Sequence, residues 1–205
     1  MDIGDYVVHI VDDEEPVRKS LAFLLTMAGF TARQHASATT FLAAAATLRN
    51  GCLVTDLRMP DMSGVDLLRA LRDLPVTIPS IVITGHGDVP MAVEAMKAGA
   101  IDFIEKPFEE AVLIEAIHRA AARLQSGDDA GDVSAIRARL DLLSEREREV
   151  LSGVVSGLPN KTIAYDLDIS PRTVEVHRAS VMAKMEARNL PELVRMALAA
   201  DFGPK

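Results

Sequence analysis

Five short β-branched runs, each followed by a helical pattern, constrain this chain more than any other feature of its sequence. Tyr6 to Val11, Cys52 to Thr55, Pro79 to Thr84 and Ile101 to Ile104 read as strands, with Thr31 to His35 as a weaker fifth. Three of them are nearly continuous in apolar residues, which suits strands covered on both faces of a parallel sheet. Between them lie helical stretches such as Val17 to Ala28, whose Val17, Leu21, Leu24 and Leu25 fall at helical spacing before Gly29 closes the run. The β-α order repeated five times predicts a doubly wound α/β domain over residues 1–124, joined by right-handed crossovers.

The pattern breaks at Gln125-Ser126-Gly127-Asp128-Asp129-Ala130-Gly131-Asp132, and residues 125–139 read as a linker. Residues 140–205 show no strand and read as a second, smaller all-α domain of four or five short helices. Charge adds little to the functional reading. The chain carries a net charge of -8, and residues 140–205 hold 10 acids against 9 bases, without the basic excess that usually marks a DNA-binding domain. A hydrophobic share of 49% excludes wholesale disorder. No apolar run approaches the roughly 20 residues of a membrane span, so no membrane partner is expected. Met1 to Asp5 lacks the basic start and apolar core of a secretory signal, which points to the cytoplasm. Cys52 stands alone inside an apolar run and reads as core packing. His9, His35, His86 and His118 show no metal-ligand spacing.

In an open parallel sheet, ligands bind beyond the carboxyl ends of the strands. Asp12 and Asp13 follow the first strand, Asp56 ends the third, Thr84 ends the fourth and Lys106 follows the fifth. Singly, each has a plain explanation: Asp12-Asp13-Glu14-Glu15 ahead of Pro16 can cap a helix, and Asp56 can be a solvated loop acid. Together they suit phosphoryl transfer onto a carboxylate. Hard oxygen ligands hold Mg²⁺, Asp56 in the centre of the sheet is the nucleophile candidate, and Lys106 can meet phosphate oxygens as a point charge. No G-x-x-x-x-G-K-[ST] loop is present, so the phosphoryl donor is expected to be another protein rather than a nucleotide.

Val11-Asp12-Asp13-Glu14, the stretch Thr-Asp-Leu-Arg-Met-Pro-Asp-Met-Ser-Gly around Asp56, Ile-Thr-Gly-His-Gly and Lys106-Pro107-Phe108 resemble, in this order and spacing, the receiver domain of bacterial response regulators. The resemblance implies the strand order 2-1-3-4-5 and a Mg²⁺ site of Asp12, Asp13, Asp56 and the backbone carbonyl of Arg58. It further implies that Asp56 is the phosphoacceptor, that Thr84 and Lys106 sense the phosphate, and that Lys106-Pro107 is cis. Phe103 matches the family's switch aromatic, although an aromatic in an apolar strand can equally be core. The implied mechanism is a population shift that reshapes the face around residues 91–105, a dimerisation surface.

In the second domain, Leu143-Ser144-Glu145-Arg146-Glu147 contains the S-x-x-E of a capping box, with Val150, Leu151, Val154 and Val155 as a buried stripe and Gly157 as a stop. A second helix starts at Asn160. Ser170 is a good N-cap and Pro171 a good first residue for a third helix running from about Arg172 to Met185. Val174, His177, Val181 and Met185 share its inward face. The arrangement fits a helix-turn-helix, and a three-helix protein-interaction domain fits the same pattern. On the DNA reading, Thr162, Thr173, Glu175, Val176 and Ala179 face DNA, with Val176 suited to a thymine methyl and Glu175 to cytosine N4. Lys161, Arg172, Arg178 and Lys184 would contact phosphates.

Leu-Ser-Glu-Arg-Glu-Arg-Glu-Val-Leu, Asn-Lys-Thr-Ile-Ala and Ser-Pro-Arg-Thr-Val-Glu-Val-His-Arg resemble the LuxR/NarL-type DNA-binding domain over residues 141 to about 200. Glu175 departs from it, since many relatives carry a basic residue there. The resemblance implies a dimerisation helix over residues 190–200, two-fold half-sites, and release and dimerisation on phosphorylation. Gly-His-Gly-Asp-Val-Pro-Met-Ala-Val is similar to a rhizobial subgroup that regulates nitrogen-fixation genes, which implies an oxygen-sensing haem histidine kinase as donor, with double-stranded DNA and RNA polymerase as partners. The expectation is a phosphorylation-switched transcription factor and not an enzyme. The other readings are a phosphotransfer enzyme with an aspartyl-phosphate intermediate and a constitutive DNA-binding or scaffold protein.

Overall fold

The computed structural model describes residues 6–85, 87–126 and 133–203. The expectations for Met1 to Asp5, His86 and residues 127–132 lie outside the described residues. The chain divides into two compact units, residues 1–86 with 98–128, and residues 129–205 with 87–97.

Five parallel strands form the first unit's sheet: β1 (Val7–Val11), β2 (Thr31–His35), β3 (Gly51–Asp56), β4 (Ser80–Thr84) and β5 (Ala100–Glu105). Their order is β2-β1-β3-β4-β5, as the resemblance implied. Helices α1 (Glu15–Met27), α2 (Ala38–Ala45), α3 (Gly64–Arg72), α4 (Val89–Ala98) and α5 (Glu110–Ser126) alternate with them along the chain. Successive strand residues point to opposite faces. On one face Val8, Ile10, Val54, Ile81 and Ile83 pack with Leu21 and Leu25 of α1 and with Leu113 and Ile117 of α5. On the other, His9, Val11, Leu53 and Val82 are buried. Both faces are therefore covered, which is why β3 and β4 are buried along their whole length.

Among the polar groups of that second face is a histidine pair. His9 Nδ1 and His35 Nε2 stand 3.1 Å apart, and both rings lie against Phe41 of α2. Burial, followed by the charges of His35 and Arg33, pushes His9 down to about 4; burial and Arg33 also lower His35. An unfolded His9 takes its proton near pH 6.5, so between about pH 6.5 and 4 the unfolded chain binds more protons at this site than the folded one. Stability from His9 is thus present above that window and lost through it as pH falls. Urea unfolding of the first unit is expected to weaken by roughly 1–3 kcal/mol from this source over that range, and His9→Leu to remove most of the slope. An unchanged slope in that variant would show that other groups set the dependence.

The second unit contributes α6 (Val133–Asp141), α7 (Glu145–Val155), α8 (Asn160–Asp166), α9 (Pro171–Met185) and α10 (Leu190–Ala199). The capping box at Ser144 and Glu147 is present. Ser170 caps α9 through the Thr173 N–H, with Pro171 in the first turn. One core cluster gathers Leu143, Leu151, Val155, Val181, Met185 and Leu193; a second joins Val150, Val154, Ile163, Ala164 and Val174. His177 is half-buried on the otherwise buried face of α9. The structure differs from the sequence reading at residues 125–139. Helix α5 runs through Ser126, and α6 occupies much of the expected linker, with Ile136 and Leu140 buried in the first of these clusters. The α6 signal is only nine residues long, and its apolar positions are few enough to pass for linker beside the preceding glycines and acids.

Candidate functional site

Strand register places the acidic edge. Val11 pairs with Thr55, so Asp12 stands level with Asp56. Asp56 pairs with Ile83, so Thr84 lies one step beyond, and Thr84 pairs with Glu105, the residue before Lys106. Three strands therefore deliver their terminal polar groups to one edge. Lys106 Nζ closes the set at 3.2 Å from Asp12 Oδ2 and 3.0 Å from Asp56 Oδ1. The second carboxylate oxygens have their own donors: the Glu14 N–H gives 2.8 Å to Asp12 Oδ1, and the Arg58 N–H gives 2.7 Å to Asp56 Oδ2. Asp12 and Thr84 are almost fully buried, and Asp56 retains 8% exposure, enough to be met from solvent.

The loop after Asp56 is fixed by a glycine. A Cβ on Gly64, the first residue of α3, would lie 2.4 Å from the Asp56 carbonyl oxygen. Only glycine lets that helix start so close to the strand end. On the opposite side Arg18 donates to the carbonyls of Asp12 at 2.7 Å and Asp13 at 2.9 Å. The Lys106 N–H donates to the Thr84 carbonyl at 2.7 Å, and Lys106-Pro107 is cis.

The electrostatics are those of a site built to hold positive charge. Burial pushes the Asp12 carboxyl above its ordinary range, against the pull of the Glu14 N–H and the Lys106 ammonium. Burial draws Lys106 down, but hydrogen bonds and charge from Asp56 and Asp12 outweigh it and leave the ammonium above its usual value. Among the described residues, no group of three or more His, Cys, Asp or Glu side chains is gathered as a metal cluster. Asp13 follows Asp12 in the chain and is exposed, and Arg58 is exposed as well, so the structure does not gather Asp13 with the Asp12–Asp56 pair. Two hard carboxylates nevertheless fit Mg²⁺, which is commonly held by one or two of them together with waters. Phe103 is half-buried on β5, level with Val82. Sequence reasoning missed Arg18, since nothing in its spacing marks a side chain that reaches back to the strand end.

In the second unit the structure separates the expected DNA contacts into two groups. Lys161 and Thr162 are exposed on the first turn of α8, and Arg172, Glu175 and Ala179 are exposed along α9. Val176 is 59% exposed there, high for a large apolar side chain. Arg172 and Glu175 pair at 3.2 Å. The others are half-buried and already hold partners within the domain. Arg178 is half-buried and donates to Asn160 Oδ1 at 2.7 Å, Thr173 shares its hydroxyl with Ser170 at 2.8 Å, and Lys184 donates to Glu147 at 2.7 Å and to the Leu142 carbonyl at 3.3 Å. Glu147 is the hub that sequence reasoning saw only as half of a capping box. It also accepts from Ser180 Oγ at 2.6 Å and from the Ser144 N–H at 2.7 Å. These donors, with Lys184 first, hold its carboxyl down to about 2.

The family model described as response regulator receiver domain matches residues 8–118, and that of bacterial regulatory proteins, luxR family, matches residues 141–197. The transcriptional regulatory protein FixJ of Rhizobium meliloti (strain 1021) is 74% identical over 201 residues, covering 98% of each chain. That of Azorhizobium caulinodans is 54% identical, covering 96% of this chain and 94% of its own. Among solved structures, full-length FixJ from B. japonicum is 46% identical with a TM-score of 0.57, covering 95% of this chain and 97% of that one. A crystal structure of FixJ-N is 76% identical with a TM-score of 0.56, covering 58% of this chain and 94% of that one.

Proposed function

The chain belongs to the response regulators, as a transcriptional regulator with a receiver and a luxR-type DNA-binding domain, and from that premise we propose that a phosphoryl group on Asp56 switches it on. The observation that carries this reading is the single ammonium of Lys106 held between Asp56 and Asp12 at one strand edge. A sensor histidine kinase supplies the phosphoryl group. An Asp56 carboxylate oxygen attacks the phosphorus, the P–O bond forms as the P–N bond to the kinase imidazole breaks, and the imidazole leaves with the electron pair and takes a proton. Asp12, Asp13, Asp56 and the Arg58 carbonyl would hold Mg²⁺, which when bound would supply positive charge against that of the carboxylate and the incoming phosphoryl group.

Lys106 then moves its charge from the carboxylate pair to the phosphate oxygens, and the Thr84 hydroxyl donates to another. Phe103 follows, and the changed population brings two receivers together. The dimer places two copies of α9 on two-fold half-sites of promoter DNA and engages RNA polymerase. By the likeness to FixJ proteins, the signal is low oxygen read by a haem kinase and the targets are nitrogen-fixation genes. Among the described residues no helix is long and apolar enough to cross a membrane, and the cytoplasm is the proposed location. The receiver function is proposed for residues 1–124 and the DNA-binding function for residues 140–205, with α6 between them packed into the core of the second unit rather than serving as open linker.

Incubation with a small phosphodonor and Mg²⁺ tests the switch. The expected result is a stable, acid-labile label on Asp56, a shift to dimer and tighter operator binding. Rapid turnover of the donor without dimerisation would support the phosphotransfer enzyme instead. An absence of label would support the constitutive DNA-binding protein. The kinase contact has its own test in Phe23 and Met27, one turn apart on α1 and 70% and 72% exposed. Covering such a pair with a partner surface removes apolar area from water, which makes it a testable contact. Phe23→Ala is expected to slow phosphotransfer from the kinase about tenfold and to leave labelling by the small donor unchanged; equal loss with both donors would place Phe23 in the fold rather than the contact.

A further inference from the structure

Helix α1 begins without the side-chain cap that would normally hold its first turn. Glu14 stands at the N-cap position and makes no such bond. The turn out of β1 is held instead by two other groups. The Asp12 carboxylate accepts the Glu14 N–H at 2.8 Å, and Arg18 Nη1 donates to the Asp12 carbonyl at 2.7 Å and to the Asp13 carbonyl at 2.9 Å. Side chains on a helix lean toward its N-terminus, which sends the half-buried Arg18 back over the strand end. A cation at this end of a helix has the wrong sign for the helix dipole. Lys19, the next residue, offsets that by pairing with Glu15 at 2.6 Å. Arg18 hydrogen-bonds no carboxylate among the described residues and gives both of its bonds to main-chain oxygens of the acidic pair.

We propose that Arg18 is a positioning residue of the Mg²⁺ site: by holding the carbonyls of Asp12 and Asp13 it fixes the backbone from which both carboxylates project, and so sets the affinity for the ion. The inference rests on the reading of this strand edge as a Mg²⁺-assisted phosphoacceptor and adds to it a residue that acts through Asp12 and Asp13 rather than on the ion. Anchoring and charge predict opposite signs, which makes the role measurable. A guanidinium beside Asp12 and Asp13 repels a divalent cation, so its removal tightens Mg²⁺ binding if charge decides. Loss of a group that orients metal ligands weakens binding, by about tenfold or more.

Three substitutions in the full-length chain test it. Arg18→Met keeps the apolar stem and removes charge and donors, Arg18→Gln is a second neutral variant in case the first does not fold, and Arg18→Lys keeps charge and donors. Mg²⁺ is titrated by calorimetry without phosphodonor, and labelling by a small phosphodonor is then followed across Mg²⁺ concentrations. The neutral variants are expected to raise the Kd for Mg²⁺ about tenfold and to label slowly at limiting Mg²⁺ but at the parent rate once Mg²⁺ saturates. Arg18→Lys is expected to bring the Kd back toward that of the parent. An unchanged or lower Kd in a folded neutral variant would overturn the proposal, since repulsion would then outweigh anchoring. A labelling deficit that saturating Mg²⁺ does not restore would overturn it as well, because the residue would then serve the fold or the nucleophile rather than the metal. A parent chain that neither binds Mg²⁺ nor takes label would overturn the phosphoacceptor reading itself, whereas a parent that does both beside unaltered neutral variants removes this inference alone.

Discussion

Asparagine in place of Asp56 is expected to leave the receiver folded and to lower phosphodonor labelling by more than 100-fold. The amide keeps the shape of the side chain and can still accept the Arg58 N–H seen at 2.7 Å, but it removes the anionic oxygen that attacks phosphorus. Its effect on stability is expected to be small because two changes oppose each other. Loss of one of two neighbouring negative charges relieves Asp12, whose carboxyl is already raised by burial and by Asp56. Against that, Lys106 keeps only one of its two carboxylate partners. The net shift is expected within about 1 kcal/mol, the range usual for opposed charge terms of this size. Mass spectrometry of the labelled protein and urea unfolding of the variant measure the two quantities. A label that persists, on Asp12 or Asp13, would sink the assignment of Asp56 as nucleophile.

Much of this site was legible from order alone, because a parallel sheet brings strand ends together by topology and the register then has little freedom. Asp12, Asp56, Thr84 and Lys106 were each adjacent to a strand in the sequence, and pairing of Val11 with Thr55 and of Thr84 with Glu105 puts them side by side. Arg18 was not legible, since its guanidinium reaches the Asp12 and Asp13 carbonyls through a conformation of a long side chain that no periodicity encodes. Helix α6 was lost for another reason: packing against Leu143 and Met185, not propensity, stabilises so short a segment. Basic residues of the second unit show the same limit. Arg172 and Lys184 look alike in sequence, yet Arg172 points outward while Lys184 turns back to Glu147. Which face a lysine serves depends on the acid that tertiary packing puts beneath it.

That acid gives the second large effect. Glu147→Ala is expected to destabilise the second unit by roughly 3 kcal/mol, the sum expected for a lost cap and lost hydrogen bonds to a buried charge. For a domain of this size such a loss lowers the melting temperature by roughly 10–20 °C. The carboxylate is 5% exposed and is shared between the first turn of α7, through the Ser144 N–H, and two positions one turn apart on α9, Ser180 and Lys184. Two contacts at that spacing fix both the tilt of α9 and its rotation about its own axis. Operator affinity should therefore fall even at temperatures where the variant remains folded. Its pH dependence has a defined sign: a carboxyl held down to about 2 in the fold contributes stability above the ordinary glutamate range near 4.3, and that contribution is lost as pH falls from there toward 2. Glu147→Gln separates the two roles, because its amide oxygen can still cap the Ser144 N–H but offers Lys184 no charge. If the glutamine variant melts close to the parent yet binds operator as weakly as the alanine one, orientation of α9 is the function of the ion pair. Parent-like operator affinity in both variants would show that α9 needs no such anchor.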